Sequence, residues 1–89
     1  MDIIRSATAG TMESSDTYVE LQPSDGGITI EIESVVKEQF GDEIEAAVRD
    51  VLKENNVENV ALRIVDRGAL ECVIRARVET AVMRGSEKA

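Results

Sequence analysis

The sequence predicts an α+β domain: a small, mainly antiparallel sheet made of two hairpins, with one main amphipathic helix packed on one face. Three observations carry that prediction. Ile28, Ile30 and Ile32 alternate with Thr29, Glu31 and Glu33, the period of two expected of a strand with one wet face. Val36, Phe40, Ile44, Val48, Val51 and Leu52 recur every three or four residues, which lines one side of a helix with apolar groups. Turn-forming runs, Pro23-Ser24-Asp25-Gly26-Gly27 and Asp66-Arg67-Gly68, separate the periodic segments.

Taken in order, Ile3 to Ala9 suggests a short edge strand. Gly10 and the polar run Glu13-Ser14-Ser15-Asp16 then mark a loop. From Thr17 to Gln22, Val19 and Leu21 share one side and Glu20 the other. This segment and the Ile28 strand flank the Pro-to-Gly turn, so the two are expected to pair as a hairpin. The helix is expected over 34–55, with Ser34 as its N-cap. Gly41 lies inside the pattern, where it costs about 1 kcal/mol relative to alanine, and a bend at Gly41-Asp42 is compatible with it. Val60, Leu62 and Ile64 indicate a third strand. Residues 70–82 admit two readings. Leu70, Val73, Ile74, Ala81 and Val82 form a helical stripe, whereas Cys72, Ile74, Ala76 and Val78 alternate strictly with Val73, Arg75, Arg77 and Glu79. The tight-turn chemistry of Asp66-Arg67-Gly68 favours the second, a fourth strand closing a second hairpin. Residues 1–89 are read as one domain, with Gly85 to Ala89 as a frayed tail.

Composition narrows the function. Eighty-nine residues suffice for one modest core. Ten Lys and Arg against eighteen Asp and Glu give a net charge of −8, which argues against nucleic acid, whose phosphates need a basic patch, and against an electrostatic membrane anchor. No apolar run approaches the roughly 20 residues of a membrane helix. Histidine is absent, so Ser-His-Asp and Cys-His constellations cannot be built. No phosphate-binding G-x-x-x-x-G-K-[ST] loop is present. A single Cys supplies neither an internal disulfide nor a multi-thiolate metal site and suits a reducing, cytoplasmic setting. No catalytic residue and no metal ligand is therefore expected. Glu31, Glu33, Glu43, Glu45 and Asp50 read as solvated surface, and Cys72 as a small buried hydrophobe. What remains is an acidic module that meets basic partners.

One loop stands apart. Ala9-Gly10-Thr11-Met12-Glu13-Ser14-Ser15-Asp16 combines small residues, a glycine and two adjacent hydroxyls between two carboxylates. By itself this is ordinary turn chemistry. However, the same segment, followed by Glu38-Gln39-Phe40-Gly41-Asp42, Asp66-Arg67-Gly68-Ala69-Leu70-Glu71-Cys72 and Arg75-Ala76-Arg77-Val78-Glu79, resembles the citrate lyase acyl carrier proteins, or gamma subunits, over nearly the whole length. The usual Asp-Ser-Leu of fatty-acid carriers is absent.

The resemblance implies a non-catalytic subunit with a covalently bound 2'-(5''-phosphoribosyl)-3'-dephospho-CoA arm on the serine after Glu13, namely Ser14. Ser14 and Ser15 are chemically near-equivalent, and the choice between them comes from the resemblance. The arm's thiol would carry acetyl and citryl thioesters between alpha and beta subunits. A prosthetic-group transferase (holo-carrier synthase) would install the arm, and an acetate ligase would acetylate it. The rival readings are the carrier subunit of malonate decarboxylase and an unmodified acidic interaction module.

Overall fold

The computed structural model describes residues 1–35 and 37–87. Strands β1 (Ala7–Gly10), β2 (Thr17–Gln22) and β3 (Ile28–Ser34) precede helix α1 (Lys37–Glu54), and strand β4 (Val60–Asp66) and helix α2 (Glu71–Ser86) follow. The four strands form one sheet in the order β1-β2-β4-β3. β1 with β2 and β2 with β4 are antiparallel, and β3 with β4 is parallel. The α+β class and the mainly antiparallel sheet are thus as expected, but the strand neighbours differ.

The expected β2–β3 hairpin does not form, because β4 lies between those two strands. Alternation and a Pro-to-Gly turn define two strands and a reversal, but they do not require the strands to touch. β4 takes the centre because Val60, Leu62, Ile64 and Val65 make it the most apolar strand, buried along most of its length. β3 keeps the edge, where Glu31 and Glu33 point a charged face at water. The β3–α1–β4 unit then follows the general rule that parallel neighbours need a helical crossover. The hairpin that does form is β1–β2, with Ala7 opposite Leu21 and Gly10 opposite Tyr18.

The second expected hairpin is also replaced. Residues 71–86 are helix, since both edges of β4 are already occupied. Ile74, Val78, Ala81, Val82 and Gly85 are buried, a spacing of four, three, one and three that only a helix aligns. Ile74 and Val78 satisfy both periodicities, which is why the alternation misleads. Cys72, expected in the core, is exposed on the first turn of α2. Leu70 at the N-cap makes no side-chain capping hydrogen bond, so α2 forgoes about 0.5–2 kcal/mol that Ser, Thr, Asp or Asn would supply there. α2 continues through Gly85 and Ser86, two residues of the expected tail; Lys88 and Ala89 lie outside the described residues.

Helix α1 runs without interruption through Gly41. Ser34, the expected N-cap, ends β3 and donates its hydroxyl to Asp66 Oδ2 at 3.0 Å. Val36 lies outside the described residues. Both helices cover one face of the sheet, α1 against β3 and α2 against β1 and β2. Ile44, Val48, Val51 and Leu52 meet Val19, Leu21, Leu62 and Ile64 in the core. Phe40 belongs to the same sequence stripe but is 44% exposed. The opposite sheet face is open, and Arg63 there reaches Glu20 (3.4 Å) and Glu33 (3.3 Å), exposed pairs that add little stability. No helix is long and apolar enough to cross a membrane among the described residues.

The unequal burial of one stripe gives a test. Leu52→Ala should cost about 2–5 kcal/mol in urea unfolding, while Phe40→Ala should cost less than about half of that, because its ring is only partly withdrawn from water.

Candidate functional site

The loop singled out in the sequence is the tip of the β1–β2 hairpin. Its shape follows from two backbone constraints. Asp16 N–H donates to the Glu13 carbonyl at 3.1 Å, closing a four-residue turn with Ser14 and Ser15 in the middle. Ser15 has φ +66°, and a positive φ at the third position is the mark of a type II turn. Ser15 N–H also donates to the Arg67 carbonyl at 2.9 Å, and Arg67 N–H donates to the Asp16 carbonyl at 2.9 Å. Two residues therefore oppose one, a G1-type bulge whose left-handed position, usually glycine, is held by Ser15. The bulge extends the β2–β4 ladder past the Thr17–Asp66 pair and ties the loop to the turn after β4.

Side chains fix the loop from below. Asp16 accepts from Arg77 Nε at 3.1 Å and Nη2 at 2.9 Å, from Thr11 Oγ1 at 2.7 Å and from Thr17 N–H at 2.7 Å. The two-pronged arginine contact is the strong form of this ion pair. It brings together residues that α2 and the hairpin contribute from opposite ends of the chain. The Arg77 hydrogen bonds, followed by those of Thr11 and Thr17, pull the Asp16 carboxyl from 3.8 down to about 2. Thr11 Oγ1 in turn accepts from Glu13 N–H at 3.2 Å.

Gly10 allows the hairpin to close. Its φ is +90°, and a Cβ there would lie 1.9 Å from the Thr17 carbonyl oxygen and 3.2 Å from Arg77 Cδ. Asp66, almost fully buried, organises the neighbouring turn by accepting from Ser34 Oγ, Gly68 N–H (3.3 Å) and Ala69 N–H (3.1 Å).

Ser14, the sequence-predicted attachment residue, is exposed at the corner of this pinned turn. Its backbone takes no part in the bulge, whereas that of Ser15 does. Arg77 and Asp66 were missed in the sequence. Arg77 was assigned to a strand, and nothing in a single sequence ties it to Asp16 across sixty-one positions. No group of His, Cys, Asp and Glu able to hold a metal ion occurs among the described residues.

The site is thus a pinned loop that displays an exposed hydroxyl on a small acidic domain, an arrangement that a carrier class of protein would use. Comparisons with known proteins agree. A family model described as "Malonate decarboxylase delta subunit (MdcD)" matches residues 4–85. Citrate lyase acyl carrier protein of Escherichia fergusonii is 53% identical over 89 residues, covering 99% of this chain and 92% of that protein. The proteins of the same name from Lactiplantibacillus plantarum and Halothermothrix orenii are 47% and 45% identical. They cover 98% and 100% of this chain, and 91% and 95% of their own lengths. A chain in a crystal structure of a Pseudomonas malonate decarboxylase hetero-tetramer in complex with malonate superposes with a TM-score of 0.81 at 22% identity, covering 92% of this chain and 84% of that one; at that identity the likeness shows the fold.

The chain belongs to the acyl carrier protein family represented by these citrate lyase relatives. It is a carrier subunit rather than an enzyme, and membership implies a covalently bound prosthetic group.

Two outcomes test the loop's construction. Gly10→Ala should destabilise the fold by more than about 2 kcal/mol, since neither the backbone oxygen in its path nor the positive φ can be relieved cheaply; chemical unfolding reads this directly. For pH, the depressed Asp16 value means that its stabilisation is complete above about 4 and is lost as pH falls through about 2. Asp16→Asn should therefore flatten the stability profile between pH 4 and 2 and lower stability at pH 7.

Proposed function

We propose that this chain is the acyl carrier subunit of a citrate lyase, with a phosphoribosyl-dephospho-coenzyme A arm joined through a phosphodiester to Ser14. The observation that carries this reading is near-full-length identity of 45–53% to proteins named for that role, combined with an exposed Ser14 in a built loop. The residues present fit the arm. Attachment needs an accessible primary hydroxyl, and Ser14 offers one with no competing hydrogen bond among the described residues. The carrier of malonate decarboxylase is the second reading, favoured by the description of the matching family model.

The bound arm would supply a terminal thiol on which acetyl and citryl groups are carried as thioesters. The chain's own residues do the rest. Ser14 provides the ester oxygen. With no histidine in the chain, the base that takes its proton belongs to the transferase installing the arm. Asp16, clamped by Arg77, and Glu13, whose N–H donates to Thr11 Oγ1, hold the two flanks of the turn, so the attachment point keeps one orientation. The −8 charge favours encounter with basic entrances on alpha and beta subunits, on the transferase and on the acetate ligase.

Intact mass and peptide mapping of protein from its native host test the assignment. Ser14→Ala should abolish the mass increment and citrate cleavage by the assembled complex, with the fold unchanged, while Ser15→Ala should keep most of the modification. An arm mapped to Ser15 would overturn the site. Restoration of malonate decarboxylation rather than citrate cleavage by the loaded chain would move the function to the second reading.

A further inference from the structure

Beside the hydroxyl loop lies a groove of about 320 Å³ between the N-terminal parts of α1 and α2. Phe40, Ile44, Ala47, Ala69, Leu70 and Ile74 give it an apolar floor and walls. Its exposed carboxylates are Glu43 and Glu71, the latter paired with Arg75 at 3.4 Å. Asp66 also lines it but is buried and satisfied by its own turn, and no cationic side chain lines it among the described residues. Leu70 is 72% exposed, and it occupies the N-cap of α2 without capping it. A large apolar group there adds little to the core and displaces the polar residue that would stabilise the helix. A local rule broken with no gain in folding points to a role outside the fold. The groove also adjoins the attachment loop, because Asp66 and Gly68 line it and Arg67 between them is bonded to Ser15 and Asp16.

We propose that this groove is the docking site for the catalytic subunits of the complex, and that it takes an apolar side chain flanked by Lys or Arg on their surface. The exposed rim carboxylates Glu43 and Glu71 select the flanking cations, and Phe40 with Leu70 supplies the apolar contact that a central anchor needs. Docking there sets the partner next to Ser14. The depression on the open sheet face lacks this character, since Arg63 sits among its lining residues and is already bound to Glu20 and Glu33. The proposal rests on the carrier reading above.

The incisive variant is Leu70→Asp, because aspartate is a favoured N-cap. It should raise the melting temperature of the domain while raising Kd at least tenfold for the catalytic subunits of the same complex, measured by calorimetry with the full-length, arm-bearing chain. Leu70→Met should bind within about twofold of wild type, as should Met83→Glu, a control at an exposed apolar position elsewhere on α2. Wild-type affinity should fall as salt rises. Unchanged binding by Leu70→Asp, or an equal loss in Met83→Glu, overturns the groove and leaves the carrier reading standing. A wild-type chain that does not bind the subunits overturns both. A wild-type dimer dissolved by Leu70→Asp with subunit affinity unchanged would assign the groove to a second copy and overturn the proposed occupant.

Discussion

Strand β4 is hydrogen-bonded along both edges, antiparallel to β2 and parallel to β3, and every other element is arranged around that double pairing. Its inward residues Val60, Leu62 and Ile64 are almost wholly withdrawn from water, so exposing either edge would cost both ladder hydrogen bonds and core contacts. The crossover through α1 follows from the parallel side, and the position of the β1–β2 hairpin follows from the antiparallel side. At its C-terminal end β4 delivers Asp66, whose carboxylate caps the next turn through Gly68 and Ala69. Arg67 then reaches back to the hairpin loop. The hairpin loop is thus shaped by the centre of the sheet as much as by its own sequence.

Much of this was legible in the sequence, and the failures share one cause. Alternation at Ile28, Ile30 and Ile32 identified β3, the stripe ending at Leu52 identified α1, and the glycine and hydroxyls of residues 9–16 identified the loop. Periodicity describes one segment's relation to a core, not its neighbours, so the insertion of β4 between β2 and β3 was invisible. At residues 70–82 the residues common to both periodicities, Ile74 and Val78, concealed a helix behind an apparent strand. Phe40 obeyed the spacing of its stripe yet stands half outside the core, on the wall of the groove between α1 and α2. Arg77 was unreadable for a different reason, since its partner Asp16 is distant in the chain.

The charge distribution separates two roles for acidic groups. Asp16 and Asp66 are structural: one is clamped by an arginine and a threonine, the other satisfied by backbone N–H groups. Other carboxylates among the described residues form exposed pairs, as Glu45 does with Arg49 and Asp50 with Arg75. Such pairs contribute little stability but sustain a field that basic surfaces feel at a distance, over roughly 8–10 Å at ordinary ionic strength. Under the proposed function the chain would meet several larger proteins in turn, and attraction that is quick to form and easily released would suit it.

The clamp on the hairpin tip also bears on how a load travels. With Asp16 clamped by Arg77 on one flank and the Glu13 N–H bonded to Thr11 Oγ1 on the other, the turn that displays Ser14 is held on both sides. Under the proposed function, a group tethered there would search by rotation of the tether alone, so the volume it sweeps would be centred on a point that docking sets in place. Successive active sites within that volume would each see the load at an effective concentration fixed by tether length and geometry rather than by diffusion of the domain. Loosening the turn would spread the same load over a larger volume and dilute it at every station, with no change in the chemistry of any enzyme.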